Sequence, residues 1–149
     1  MSKPINFWIV NNPYHINDIG LYNSRYSGEN YFIAIEHRKI PFNHTSKVYY
    51  FEKFKGFFWF LLNYFKFRDR VKKIGIKKTD RIFVFNGQEH TNNVLLSIIE
   101  SKYCKNIIIV DDGSTGYQFY LTEPKFSSRL IDTIRKLFFG LFGVRYDVI

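Results

Sequence analysis

The sequence predicts an α/β fold in which a parallel β-sheet carries helices on both faces. Short, wholly apolar segments such as residues 7–10 and 107–110 are typical of strands buried on both sides of a sheet. Longer stretches of helical character separate these strands, and that alternation favours parallel pairing. We expect residues 1–149 to form one domain, since their number is ordinary for a single domain.

The first half of the chain contains three predicted strands and one helix. Residues 7–10 form the first strand, which ends at Asn11-Asn12-Pro13. Pro13 favours a helix start, because its missing N–H group would have no partner there in any case. A helix is predicted over about 15–26, and strands over 31–35 and 48–51, with turn-forming residues between them.

The second half repeats the alternation. A long helix is predicted over about 54–73, ended by Gly75 and rich in lysine and arginine in its last turns, where the helix dipole favours cations. A strand over 81–85 precedes a helix that starts near His90 or Thr91 and runs to about 102. A strand over 107–110 and a last helix, capped near residues 127–128 and running to about 139, complete the series.

Composition and charge limit the function classes. Hydrophobic residues make up 46% of the chain, which excludes general disorder, and aromatic residues make up 20%. The net charge of +9 indicates an acidic partner, which would be nucleic acid, an anionic membrane surface or a phosphorylated substrate. The single cysteine, Cys104, excludes an intrachain disulfide and favours a reducing, cytoplasmic compartment.

Rings and cations concentrate in the segment 51–78, "FEKFKGFFWFLLNYFKFRDRVKKIGIKK". One interpretation is a helix lying on an anionic membrane. The other is a core-facing helix with a solvated basic end. Nucleic acid is not expected, because the rings lie on a helix and no single-strand-binding module is present. The expected apolar face comprises Phe57, Phe58, Phe60, Leu61, Tyr64 and Phe65.

Three polar loops follow strands at what would be one edge of the sheet. In open parallel sheets, ligands bind in the crevice beyond the carboxyl ends of the strands. Each loop taken singly is explained as well by a helix cap or a turn. Taken together they predict a substrate site, with candidate residues Asn11, Pro13, His15, Asn86, Gly87, Gln88, Glu89, Gly113 and Ser114.

The loop "DDGSTGY" carries two adjacent acids at the end of a buried strand. Burial and a like neighbour both raise the pKa of a carboxylate, which suits a general base. A divalent metal site is the alternative, but neighbours on a strand point to opposite faces and share an ion poorly. We therefore expect one of Asp111 and Asp112 to be the base and the other to orient it, with no metal. No zinc-site spacing, P-loop, dinucleotide fingerprint or nucleophile elbow is present.

Two motifs resemble a known family. "FWIVNNPYHI" is similar to the opening of bacterial sialyltransferases that build lipooligosaccharide and capsule, where a short strand runs into a Thr/Ser-Pro-x-Gln-like turn. "IIIVDDGSTGY" resembles their acid–acid–glycine motif. The resemblance implies a Rossmann-like N-terminal domain of a GT-B fold, with Asp111 as general base for the acceptor hydroxyl and Asp112 and Gly113 completing the motif. It also implies CMP-sialic acid as donor substrate, transfer with no cofactor and no metal, and a cytoplasmic protein associated peripherally with the inner membrane.

The sequence departs from this family at two places. His15 stands where glutamine is common, and the His-Pro pair that grips the nucleotide in the C-terminal domain is absent. We therefore expect the acceptor-side half of a CMP-dependent glycosyltransferase acting on a surface glycan, inactive alone. Two alternatives stay open: a non-catalytic membrane-associated or partner-binding domain, and a transferase for another nucleotide sugar or a polyol phosphate. The sequence does not fix the oligomeric state or the acceptor sugar.

Overall fold

The computed structural model describes residues 3–35, 42, 46–55, 57–85, 90–100, 106–110 and 126–143. Each element described there corresponds to a predicted one, and its bounds differ from the prediction by at most three residues. In chain order the elements are β1 (Ile5–Val10), α1 (His15–Asn23), β2 (Glu29–Ile35), β3 (Lys47–Phe51), α2 (Phe57–Lys73), β4 (Arg81–Val84), α3 (His90–Glu100), β5 (Ile107–Ile109) and α4 (Phe126–Leu141).

The strands form one sheet in the order β3-β2-β1-β4-β5, and every pairing is parallel. Trp8 on the central strand lies in register with Phe32 of β2 and Phe83 of β4. The prediction of an α/β fold on a parallel sheet is confirmed. Because the strands are parallel, their carboxyl ends all meet at the same edge.

Successive residues of β1 point to opposite faces of the sheet, and each face has its own core. Phe7 and Ile9 pack with residues of α2 and α3. Trp8 and Val10 pack with residues of α1 on the other face. The Trp8 ring stacks on Phe83 with centroids 4.0 Å apart, and its indole N–H donates to Oδ1 of Asn30 at 2.8 Å. Helices therefore cover both faces, which explains why the strands are almost wholly apolar.

Asp80 fixes the amino-terminal edge of the sheet. Its buried carboxylate accepts hydrogen bonds from the backbone N–H of Ile5, at 3.1 Å, and of Lys77, at 2.8 Å. Gly28 packs against the residues that begin β1, with a φ of 148°. A Cβ at this position would stand 2.5 Å from the carbonyl oxygen of Pro4, so a side chain cannot be added without moving the backbone.

The aromatic residues of α2 divide between two sides of the helix. Phe60, Tyr64 and Phe67 are buried in the core, whereas Phe58 and Phe65 are exposed. The predicted single face that joined Phe58, Phe60, Tyr64 and Phe65 is therefore wrong. At 3.6 residues per turn, residues separated by two positions lie almost on opposite sides of a helix.

Helix α4 packs on α2 through aromatic rings. The Phe60 ring lies 4.6 Å from Phe139 and 5.5 Å from Phe142, measured between centroids. The Tyr64 hydroxyl donates to the carbonyl oxygen of Phe142 at 3.1 Å. The carboxyl-terminal end of α4 is thereby held against the first half of α2.

Candidate functional site

The strand order places a crevice at the carboxyl ends of β1 and β4. The chain runs from β1 to β2 and β3 on one side and from β4 to β5 on the other, so the strand order reverses between β1 and β4. Helix α1 covers one face and α3 covers the other. Ligands of open parallel sheets bind where the order reverses in this way. Two of the three predicted polar loops follow these two strands directly.

The loop after β1 is shaped by its own asparagine. The Asn12 side-chain oxygen accepts a hydrogen bond from the Tyr14 N–H at 3.1 Å, and the Asn12 carbonyl accepts from the His15 N–H at 3.1 Å. Pro13 is exposed in this turn and α1 begins two residues later, as predicted. Self-contained turns of this kind are typical of asparagine, which bonds its own backbone two residues on.

His15 joins the ends of β1 and β4. Its ring is buried and stacks on the Phe85 ring, with centroids 4.3 Å apart and an angle of 18° between the planes. The backbone N–H of Asn11 approaches its Nδ1 at 3.4 Å. Because Nδ1 accepts this hydrogen bond, the neutral ring carries its proton on Nε2. His15 is therefore a buried member of the crevice wall, set by contacts from both strand ends.

The opening of α3 supplies a polar residue that the sequence prediction missed. Asn11 donates from Nδ2 to Oδ1 of Asn92 at 3.2 Å, and the Asn92 side chain is fully buried. Thr91 beside it accepts the Phe54 N–H at 3.1 Å through its hydroxyl oxygen. Four adjacent polar residues open the otherwise mostly apolar helix "HTNNVLLSIIE", and they were the signal that could have pointed to this position.

The third loop follows β5, which lies beside β4. The backbone N–H of Val110 donates to the carbonyl oxygen of Val84 at 2.9 Å, so the pairing continues to the residue that precedes Asp111 in the sequence. Asp111, Asp112, Gly113 and Ser114 lie outside the described residues. The same is true of Asn86, Gly87, Gln88 and Glu89 in the second loop. Their roles stay predictions.

Two helices begin at this edge of the sheet. Helix α1 starts at His15 after β1, and α3 starts at His90 after β4. A helix amino terminus carries a partial positive charge, which favours an anionic ligand. In α1 the N–H groups of residues 15–17 already donate to the carbonyl oxygens of residues 12–14, so this helix offers its dipole and not these N–H groups. The described residues at this edge thus combine the amides of Asn11 and Asn92, the buried ring of His15 and two positive helix ends.

Protein-family models, curated proteins and solved structures give no match to this chain. Within the described ranges, no three His, Cys, Asp or Glu side chains come together as metal ligands would. Nor does any described helix have the length and apolar character needed to cross a membrane. The function must therefore be argued from the crevice and its neighbouring loops.

Proposed function

We propose that this chain is the acceptor-binding, Rossmann-like N-terminal domain of a GT-B glycosyltransferase of the sialyltransferase type. It would transfer a sugar from a CMP-activated donor to a surface glycan, with Asp111 as the general base. The proposal combines the predicted role of Asp111 and Asp112 with the position of the strand ends in the sheet.

One observation carries the proposal: β1, β4 and β5 are consecutive strands of one parallel sheet. The strands that precede the segments 11–15, 86–89 and 111–114 in the sequence therefore end at the same edge of the sheet. The order β3-β2-β1-β4-β5 also agrees with the first five strands of the doubly wound nucleotide-binding order. A base that follows β5 would have the His15 and Asn11 side chains two strands away, in reach of one oligosaccharide.

The proposed reaction is a displacement with inversion at the anomeric carbon. The acceptor hydroxyl oxygen forms the new bond to that carbon while the bond from the carbon to the donor's phosphate oxygen breaks. Asp111 takes the hydroxyl proton, Asp112 orients it, and the CMP leaves with the bond electrons. Positioned general bases typically contribute about 10²–10⁴ in rate. Amide groups such as Asn11 and the Nε2–H of His15 would hold the hydroxyl and acidic groups of the acceptor.

The catalytic test is a transfer assay with CMP-, UDP- and CDP-activated donors against a set of surface oligosaccharides. A complete enzyme is made by joining this chain to the nucleotide-sugar half of a bacterial sialyltransferase. We expect CMP-dependent transfer that falls at least 100-fold in Asp111→Asn. Asp69→Asn, which removes a carboxylate on the exposed side of α2, is the matched control and should be fully active. Equal activity of the two variants would remove Asp111 as the base, and transfer from UDP or CDP donors alone would change the donor class.

The binding test needs only the 149-residue chain. The protein has four histidines, at positions 15, 37, 44 and 90, and selective ¹⁵N labelling makes each ring an NMR reporter. Titration with sialylated and galactose-terminated oligosaccharides should shift the His15 signals and leave the His37 and His44 signals in place. Loss of the shift in Asn11→Ala would place the sugar in the crevice. Signals that stay unmoved at millimolar oligosaccharide would contradict acceptor binding at this edge.

A further inference from the structure

The outward side of α2 exposes large apolar side chains on successive turns. Leu62 is 78% exposed and Phe65 is 54% exposed, and Phe58 lies one turn earlier on the same side. The spacing of four and three residues puts them in one stripe, opposite the residues that enter the core. Single exposed apolar residues are normal, but a contiguous set marks an interaction surface.

Helix α4 also exposes large apolar side chains. Leu137 is 70% exposed and Leu141 is 83% exposed, one turn apart. The contacts of Phe142 with Tyr64 hold this part of α4 against α2, and Tyr64 is the chain neighbour of Phe65. Two helices therefore present apolar side chains to the outside while their opposite sides share one core.

Cations flank the stripe on α2. With about 100° between successive residues, Arg68 and Lys72 fall on one side of the stripe, and Lys66 and Lys73 fall on the other. The Arg68 guanidinium lies over the Phe65 ring at 5.1 Å from its centroid. An apolar centre with basic margins is the pattern of a helix that lies in a membrane interface.

A basic cavity adjoins this surface where α2, α3 and the end of α4 meet. Its volume is about 220 Å³, and Arg68, Lys72, Tyr64 and Ser97 contribute to its lining. The Nε atom of Arg68 is buried and makes no hydrogen bond to any described residue; it lies 3.8 Å from a carboxylate oxygen of Asp69. A guanidinium and an ammonium group at one small cavity suit a phosphate group.

We propose that this surface, formed by Phe58, Leu62 and Phe65 with Arg68 and Lys72, docks on a membrane that contains anionic lipids. The apolar side chains enter the interface between headgroups and acyl chains, and Arg68 and Lys72 bind lipid phosphates. The net charge of +9 favours such a surface over a neutral one. This inference is independent of the proposed transferase function.

A second copy of the chain fits this surface less well than a membrane does. A two-fold dimer would place the same patch on both partners, so Lys66, Arg68 and Lys72 of one copy would face the same cations of the other. Only one acid, Asp69, lies among them on this side of α2 to offset the repulsion. Anionic lipid headgroups complement the cations directly.

The test is cosedimentation of the 149-residue protein with vesicles of phosphatidylcholine alone or mixed with phosphatidylglycerol. We expect binding to the mixed vesicles that weakens as salt is raised, and little binding to phosphatidylcholine. The Leu62→Ser, Phe65→Ser double variant should bind at least tenfold more weakly, because two buried apolar side chains are lost from the interface. Arg68→Gln and Lys72→Gln should each weaken binding about fivefold.

Matched controls change the same kinds of side chain at positions outside this surface. Tyr50→Ser removes an exposed ring whose contact with Phe42 lies on the α1 side of the sheet. The Lys77→Gln, Lys78→Gln double variant removes two exposed charges beyond α2. Both controls should bind within about twofold of the unchanged protein, a margin well under 1 kcal/mol.

Three results would overturn the proposal. The first is equal binding to neutral and anionic vesicles, or no binding to either. The second is a loss in the Lys77→Gln, Lys78→Gln control as large as the loss in the Arg68 and Lys72 variants, which would mean diffuse charge attraction. The third is a dimer of the unchanged protein in analytical ultracentrifugation that is absent in the Leu62→Ser, Phe65→Ser variant, which would mean that the surface is an interface between two copies of the chain.

Discussion

The aromatic side chains of α2 allow a direct test of which side of the helix supports the fold. Phe60 and Phe58 are the same residue type, two positions apart on one helix, yet Phe60 is 1% exposed and Phe58 is 78% exposed. Replacing each by alanine adds a similar gain in helix propensity, about 0.5 kcal/mol. The difference between the two variants therefore isolates burial.

The magnitude follows from the contacts. Phe60→Ala removes a ring that packs against Phe54, Tyr64, two rings of α4 and the ring of Phe142 just after it, and truncations of this kind cost about 3–5 kcal/mol. Phe58→Ala loses only about a fifth of a side chain whose full burial stabilises by about 1.5–3 kcal/mol, so its cost is about 0.5 kcal/mol. We expect the two free energies of unfolding to differ by about 3 kcal/mol.

Urea denaturation followed by far-ultraviolet circular dichroism measures both free energies by linear extrapolation. The Phe60→Ala variant should also lose part of the helical signal early in the transition, because α4 is attached to α2 through this ring. Variants that differ by less than about 1 kcal/mol would refute the assignment of Phe60 to the core and Phe58 to the surface.

Three further predictions concern the hydrogen bonds of Asp80, the backbone at Gly28 and the buried hydroxyl of Tyr64. Asp80→Ala leaves the backbone N–H groups of Ile5 and Lys77 without their acceptor, and should lower the free energy of unfolding by about 2–4 kcal/mol in urea; a loss below about 0.5 kcal/mol would contradict this role. Gly28→Ala forces a Cβ against the Pro4 carbonyl and should lower the Tm by about 4–8 °C in a thermal melt, whereas an unchanged Tm would show that the backbone yields freely. Burial raises the pKa of Tyr64 above its ordinary value of 10.0, so the folded state favours the neutral phenol. The stability that the neutral phenol contributes to the fold is therefore present below pH 10 and is lost as pH rises through the raised pKa. Tyr64→Phe removes the hydrogen bond to the Phe142 carbonyl and should cost about 1 kcal/mol at neutral pH. It should also make the free energy of unfolding fall less steeply above pH 10; equal slopes for the two proteins would exclude the Tyr64 hydroxyl as the cause.

The positions of the strands and helices could be predicted from the sequence, because the signals that mark them lie in neighbouring residues. Apolar runs of four residues marked the strands, and Gly75, which has a φ of 75°, ended α2 as predicted. The loops at the carboxyl ends could be placed at one edge because parallel strands share a direction. On that ground His15 was predicted to contribute to a substrate site; the structure shows its ring buried against Phe85, and its role in binding stays a prediction.

The inner and outer sides of α2 could not be read from the sequence. Its first turns, "FFWFLLNYF", are apolar in almost every direction, so periodicity does not distinguish the side that meets the core from the side that meets solvent. Only the position of the sheet and of α4 decides that Phe60 is inside and Leu62 outside. The hydrogen bond between Asn11 and Asn92 could not be predicted either, because these residues are 81 positions apart in the chain.

The sequence by itself determined the fold class, the order of the elements along the chain and the common edge at which the parallel strands end. These depend on backbone periodicity and turn chemistry, which act over a few neighbouring residues. The tertiary structure alone decided that β1 lies between β2 and β4, that His15 stacks on Phe85, and which rings of α2 remain exposed. Burial is a property of elements distant in the chain, and it is settled only when they pack together.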